Sequence, residues 1–289
     1  IKKVKAIFYN LLAWCILPVM DGIAKYLSSD IPVLQIVWAR YFFTVVITLT
    51  FMLSFFRKQL VWTSKPKLQI TRGLILVVAN ILFFYSISII SLAKALTLAF
   101  VAPLIVTVLS PFFLGELVGY RRWSAVIIGF LGSLIVIRPG FLEFNIATLA
   151  ALGTGFFYGT YIIVTRKLHT ADTPLLTLLI TGVVGAIILS VYMPFTWVPP
   201  TSNQWLLMTG IGLCASVGHF FLILSLKYAD ASKLAPFSYF EIVPNILIGF
   251  YFFGDFPDGY TFLGLFIIMG SGIYIFIRES SLKPSSHIS

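Results

Sequence analysis

Long apolar runs alternate with short polar breaks along the whole chain. Ten runs approach the length of about 20 apolar residues that a bilayer-crossing helix needs. They fall at roughly 6–27, 32–56, 71–91, 94–114, 121–138, 146–168, 173–197, 205–227, 234–253 and 259–277. None shows the strict two-residue alternation of a barrel strand. Lipid offers no partner to an unpaired backbone group, so each run is expected to close its own hydrogen bonds as a helix. The pattern predicts an all-α integral membrane protein of ten transmembrane helices.

The polar breaks also repeat. The connector KYLSSDIPVL, from Lys25 to Leu34, returns as KLHTADTPLL, from Lys167 to Leu176. Phe83 and Phe84 recur as Phe220 and Phe221, LGELVGY from Leu114 recurs loosely as FGDFPDGY from Phe253, and IVIR ending at Arg138 recurs as IFIR ending at Arg278. The chain therefore divides into a first repeat over 6–140 and a second over 141–280. Five spans in each is an odd number, so the second copy must enter the membrane from the opposite side. Inverted repeats are how secondary transporters build two gates from one fold, and the duplicated connectors then read as hinges on opposite faces.

Lys and Arg placement sets the direction. With a cytoplasmic N-terminus, sixteen of the 20 basic residues fall on that side, Arg57, Lys58, Arg72 and Arg166 among them, leaving Lys25, Lys94 and Arg138 opposite and Arg40 inside a span. Both termini are expected to be cytoplasmic, in a bacterial inner membrane. This distribution, not a nucleic-acid site, accounts for the net charge of +10, because the basic residues are strung beside spans and face anionic lipid. With 59% hydrophobic and 10% charged residues, the chain cannot cover a soluble globule. Cys15 and Cys214 lie inside apolar runs and form no disulfide framework. The first run has no small-residue cleavage site behind it and reads as a retained span.

Ionisable groups at membrane depth are functional candidates. Asp21 and Lys25 share a face of the first helix, and Asp21 and Arg40 are each nine or so residues from the connector, roughly 13 Å deep. An Asp21–Arg40 or Asp21–Lys25 pair is the plain expectation, with gating or substrate contact as the alternative. His219 and Glu241 lie at similar depth on helices eight and nine, where a pair would suit proton coupling. Asn80 and Asn245 can hydrogen-bond between helices or to a ligand, and Tyr158 and Tyr239 can wall a cavity or simply pack. Pro103 and Pro111 on helix four, and Pro236 and Pro244 on helix nine, weaken the corresponding helix of each half. Gly155 and Gly159 mark a close helix contact.

No nucleotide loop, metalloprotease motif, nucleophile elbow or Cys/His metal spacing appears, so neither an enzyme activity nor a cofactor or metal is expected. The stretches 98–140 and 234–279 resemble the two EamA modules of the drug/metabolite transporter superfamily, and within it the chain is similar to bacterial carriers labelled for riboflavin or S-adenosylmethionine uptake. That resemblance implies two inverted five-helix modules around a central cavity lined by helices one, three, four, six, eight and nine. Where such relatives often carry an uncharged residue after FSY, this chain has Phe240 and then Glu241, which suits a cationic or zwitterionic ligand. The expected function is alternating-access transport of a small organic metabolite that is amino-acid-like, nucleoside-like or flavin-like, with a proton as the candidate coupling ion and lipid as the other partner. A membrane receptor, scaffold or enzyme is the alternative, although the longest loop, around 57–71, leaves little room for partner binding.

Overall fold

The computed structural model describes residues 2–137, 146–254 and parts of 259–274, and no strand occurs among them. Helix α1 spans Lys2–Leu27, α2 Val33–Phe55 and α3 Pro66–Ile89. The fourth run is broken into α4, Leu92–Ala99, and α5, Val101–Leu114, and is followed by α6, Tyr120–Ile137. In the second half come α7, Ile146–Lys167, then α8, Pro174–Ser190, with a short turn α9, Met193–Thr196, then α10, Ser202–Tyr228. The ninth run opens with α11, Ala231–Leu234, passes through a 3-10 segment, Ala235–Glu241, and ends in α12, Ile242–Phe253. Nine of the nineteen residues of the tenth span, 259–277, lie outside the described residues, as do Arg138 and the IFIR stretch. Six of the helical runs are long and apolar enough to cross a membrane, and α8 is a shorter apolar helix.

Packing follows the repeat. Helix α1 lies along α10, and its counterpart α7 lies along α3, while α2 and α8, second in each half, pack on one another. The same exchange relates the contact of α5 with α7 to that of α12 with α1. Each half therefore supplies one wall of every pair, and neither half closes its own core. A single buried cluster runs through both, from Trp14 and Leu17 on α1 to Leu222 on α10 and Ile242 on α12.

The two interrupted helices are equivalent elements broken by different residues. In the first half the break falls at Phe100. Pro103, three residues on, has no N–H for the Ala99 carbonyl. That carbonyl faces Gly155 on α7, where a Cβ would stand 2.5 Å from it, and one turn further Gly159 faces the Ala102 carbonyl, where a Cβ would stand 2.9 Å away. The small-residue pair thus lets a non-helical backbone sit against a neighbouring helix. In the second half, the 3-10 segment carries the irregularity, with Pro236 at its start. Phe100 and Tyr239 meet at the two breaks, ring centroids 5.1 Å apart. Both runs end alike, with a glycine in the left-handed region: Gly115 at φ 66° and Gly254 at φ 70°.

Helix α3 starts at Pro66, five residues before the expected boundary, because proline at the first helical position presets φ where its missing N–H costs nothing. This moves Arg72 from the edge of the expected span, where it counted with the basic residues of the cytoplasmic side, into the bundle, where it is fully buried.

Candidate functional site

Among the described residues, α1, α3, α4 with α5, α7, α10 and the broken ninth run line a narrow crevice whose unfilled space, open mouth included, is about 870 Å³. The lining is mostly apolar and aromatic, with Trp14, Phe83, Phe100 and Tyr158 prominent. Five of the eight candidate residues face it: Asp21, Asn80, Tyr158, His219 and Glu241. The six contributing runs are one, three, four, six, eight and nine, three from each half.

Two carboxyl groups reach this chamber without a partner among the described residues. Asp21 Oδ1 is buried and accepts no hydrogen bond. The Glu241 side chain makes no hydrogen bond or ion pair with the described residues, although its backbone carbonyl accepts from Asn245 Nδ2 at 3.1 Å. The expected Asp21 pairs do not form. Lys25 donates to the carbonyls of Ile87 and Ile90 at 3.0 and 2.9 Å, capping the end of α3, and Arg40 turns the other way. A carboxyl that loses its neighbours to stronger or nearer acceptors is left for a ligand.

The polar rim of the chamber is more fully engaged. Asn80 donates to the Tyr41 hydroxyl at 2.9 Å and to its own helix at Leu76 O, 2.6 Å. Asn10, on the chamber side of α1, accepts from Trp14 Nε1 at 2.8 Å. Tyr158 lies edge-on to Trp14 at 6.3 Å. Tyr239 and Asn245 stand behind the wall. Tyr239 donates to Val126 O at 3.1 Å, against α6, and the Asn245 Oδ1 atom is buried with no partner.

His219 does not meet Glu241. Its Nε2 lies 2.7 Å from Arg40 Nη2 and its Nδ1 lies 3.2 Å from the Tyr161 hydroxyl, so both ring nitrogens are used on the side away from the chamber. Behind the ring is a second, smaller pocket that includes Arg40, Tyr41, Arg72, Tyr161 and Thr181. Arg72 donates to Thr165 Oγ1 and Tyr161 Oη, each at 2.7 Å, to Thr177 O at 3.2 Å and to Thr181 Oγ1. Arg72 was counted only among the basic residues of the cytoplasmic side, at the edge of the expected span 71–91, and Tyr161 stood out by no signal in an apolar run.

Charged residues also close the end of the bundle at which the N-terminus lies. Glu116, just past α5, accepts from the backbone N–H groups of Ala231 and Ser232 at 3.0 Å each and from Ser232 Oγ at 2.7 Å, so it caps the start of the ninth run from another helix. Arg166 on α7 lies 3.4 Å from Glu116 and 3.0 Å from Asp230, and it donates to Leu226 O at 2.6 Å. Lys233 pairs with Asp230 as well.

A helical bundle that buries unpaired carboxyl groups in an apolar crevice between two equivalent halves defines a multi-pass membrane transporter. The chain matches the family model described as EamA-like transporter family twice, over residues 4–138 and 145–277, and it belongs to that family. It thus has an all-α fold of about ten membrane helices in two inverted five-helix EamA repeats, and carries a small-molecule substrate. It is 27% identical to the S-adenosylmethionine uptake transporter of Rickettsia prowazekii over 97% of both chains. It is 28% identical to the riboflavin transporter of Vibrio cholerae over 89% of this chain and 88% of that one. A pseudopaline exporter of Pseudomonas aeruginosa is 26% identical over 87% of this chain and 88% of its own length. A crystal structure superposes with a TM-score of 0.75 over 96% of this chain and 99% of that one at 17% identity, a likeness of fold.

Proposed function

We propose that the chain is a secondary transporter of the bacterial inner membrane, with both termini cytoplasmic, that moves an organic cation or zwitterion by alternating access. The observation that carries this reading is the pair of carboxyl groups, Asp21 and Glu241, contributed one by each half to the same crevice and bonded to no described side chain. A buried carboxylate costs several kcal/mol unless it is matched, which an ammonium or sulfonium centre would do. The aromatic walls at Trp14 and Tyr158 would hold such a cation further through their ring faces. S-adenosylmethionine, named for the Rickettsia relative, has both an ammonium and a sulfonium centre with a carboxylate; riboflavin offers no cation. The charge pattern therefore favours the first chemistry. In this reading the two repeats, 6–140 and 141–280, rock about the connectors at 28–32 and 170–174, a proton can exchange with cargo at the carboxyl pair, and the cargo undergoes no chemical step.

Purified protein in liposomes provides the test. Uptake of labelled S-adenosylmethionine, riboflavin and amino acids is measured against empty liposomes, in the parent protein and in Glu241→Gln and Asp21→Asn. A cationic or zwitterionic substrate is expected to accumulate, with initial rates falling at least tenfold in either variant while the melting temperature stays within a few degrees. Flux of a neutral substrate alone, or equal flux in both variants, overturns the assignment of the carboxyl pair.

A further inference from the structure

We propose that Arg40, Arg72 and Tyr161 form a binding site for a small monovalent anion, of halide or carboxylate chemistry, in the pocket behind His219. Three observations converge on it. The first is charge. Arg40 and Arg72 are 2% and 0% exposed, at depths where an uncompensated cation is costly, and neither makes an ion pair with a described residue. The two span carboxyl groups, Asp21 and Glu241, line the chamber, and Asp21 feels the charge of Arg40 without forming an ion pair with it. Threonine hydroxyls, a tyrosine and a carbonyl meet the N–H groups of Arg72 but bring no counter-charge.

The second is the count of donors. Arg40 only donates, so His219 Nε2 must accept its bond, which places the ring proton on Nδ1. Nδ1 then donates to the Tyr161 oxygen, which also accepts from Arg72 Nη2 at 2.7 Å. With that oxygen accepting twice, the Tyr161 O–H must itself donate, and no described residue accepts it. Arg40 Nε is likewise buried with no partner. The faces of both guanidinium groups are covered, Arg40 by the Tyr41 ring and Arg72 by the Tyr161 ring, each 4.6 Å from the centroid. Arg40 Nε, the second N–H of Arg72 Nη2 and the Tyr161 O–H are what remain to receive a ligand. A pocket with surplus donors and two fixed positive charges calls for an acceptor that carries negative charge.

The third is size. The pocket holds about 240 Å³ of unfilled space, with room at its centre for one water-sized body. A halide fits that central space, and so does the head of a carboxylate inserted past His219. A water molecule would meet the donors without offsetting the charge. His219, a lining residue of both spaces, separates this site from the acidic chamber, so a zwitterion held by Asp21 and Glu241 at its cationic end could place its carboxylate here.

The test uses the full chain in detergent and its melting by tryptophan fluorescence. Sodium methanesulfonate is replaced at constant ionic strength by sodium chloride or by sodium formate. A saturable rise in melting temperature is expected with at least one of them, because a ligand that binds only the folded state stabilises it. A rise with chloride alone identifies a free halide. A rise with formate that chloride competes away identifies a carboxylate group. In Arg40→Gln the half-saturating concentration should increase at least tenfold, whereas Glu241→Gln, altered only in the chamber, should keep the parent response even if transport is lost. Failure of the site and failure of the transport reading are therefore separable. If Arg40→Gln does not fold, Arg40→Lys, which keeps the charge without the planar fork, should show a weakened but saturable response. Crystals soaked in bromide should give an anomalous peak between Arg40, Arg72 and Tyr161. The absence of any saturable shift in the parent protein, an unchanged half-saturation in either Arg40 variant, or bromide bound only elsewhere overturns the proposal.

Discussion

The two ends of the bundle are held by one device executed with different chemistry. At the end away from the N-terminus, Lys25 closes the first helix of the first half and donates to Ile87 O on the third. At the N-terminal end, Arg166 closes the first helix of the second half and donates to Leu226 O on its third. Ile87 and Leu226 are equivalent positions, so the inverted repeat has preserved a basic cap on the same carbonyl twice. What surrounds the cap has diverged. Arg166 also reaches two acids, Glu116 and Asp230, where the equivalent of Asp230 is Ser91. The counterpart of Glu116, Asp255, lies outside the described residues. The far end adds packing instead: Lys25 lies 5.5 Å over the Phe253 ring, and Gly22 admits Ile248 so closely that a Cβ would stand 2.7 Å from it. The N-terminal end is thus held in part by charge and the far end in part by close packing, and under the proposed alternating access these two ends would be the gates.

The largest effect is expected from Glu116→Ala. The change deletes three hydrogen bonds to the start of the ninth run and leaves Arg166, whose side chain is 15% exposed, without its more buried partner. Breaking a buried pair at one side costs about 3 kcal/mol, or roughly 100-fold in the closed-to-open ratio. With Cys15 and Cys214 replaced by alanine and a single cysteine at Ser238 in the chamber, labelling by a membrane-impermeant maleimide from the N-terminal side should accelerate by about that factor. An unchanged rate would show that charge does not hold this end.

The converse substitution is Gly22→Val. Overpacking against Ile248 costs about 1–3 kcal/mol and should part α1 from α12 at the far end, raising labelling of a cysteine at Met20 from that side by about tenfold. The N-terminal end should not respond. Equal acceleration at both ends would mean that the two contacts open together and that the contrast drawn between them is one of composition only.

How far the chain itself announces these differences depends on the kind of signal. Spans, repeat and the break in helix four were legible, because burial in lipid forces length and Pro103 removes a definite bond. The chamber candidates Asp21, Asn80, Tyr158, His219 and Glu241 were legible for the same reason: polar atoms are conspicuous among apolar residues. The pairing between them was not. Sequence depth put Asp21 near Arg40 and His219 near Glu241, yet depth fixes height along a helix and leaves rotation about its axis free. Arg40 turned to His219, whose other ring nitrogen meets Tyr161, and the carboxyl groups were left in the crevice. Arg72 was missed through a boundary error of five residues, for which Pro66 was the available corrective. Glu116 was quoted only as part of a repeated motif, since a residue that caps a helix 115 positions away leaves no local trace.

The smallest effect concerns Asp230, and its sign separates the two ends most cleanly. Burial pushes the Asp230 carboxyl up, but the hydrogen bond and charge of Lys233, together with Arg166 and Arg122, outweigh it and hold the group below its ordinary value of 3.8. A carboxyl depressed in the closed state contributes closure above its ordinary range and loses it as pH falls through the depressed value. Labelling at the N-terminal end, divided at each pH by the rate of the same cysteine in unfolded protein to remove thiol ionisation, should therefore be flat from pH 8 to about pH 5 and rise only in stronger acid. Salt should act at neutral pH, but weakly. The Arg166–Asp230 contact is partly exposed, and such pairs contribute less than about 1 kcal/mol, so raising sodium chloride to about 1 M, where the Debye length is about 3 Å, should accelerate labelling by less than about fivefold. A salt response well above about fivefold would show that exposed charge holds this end more firmly than the buried contacts of Glu116 do.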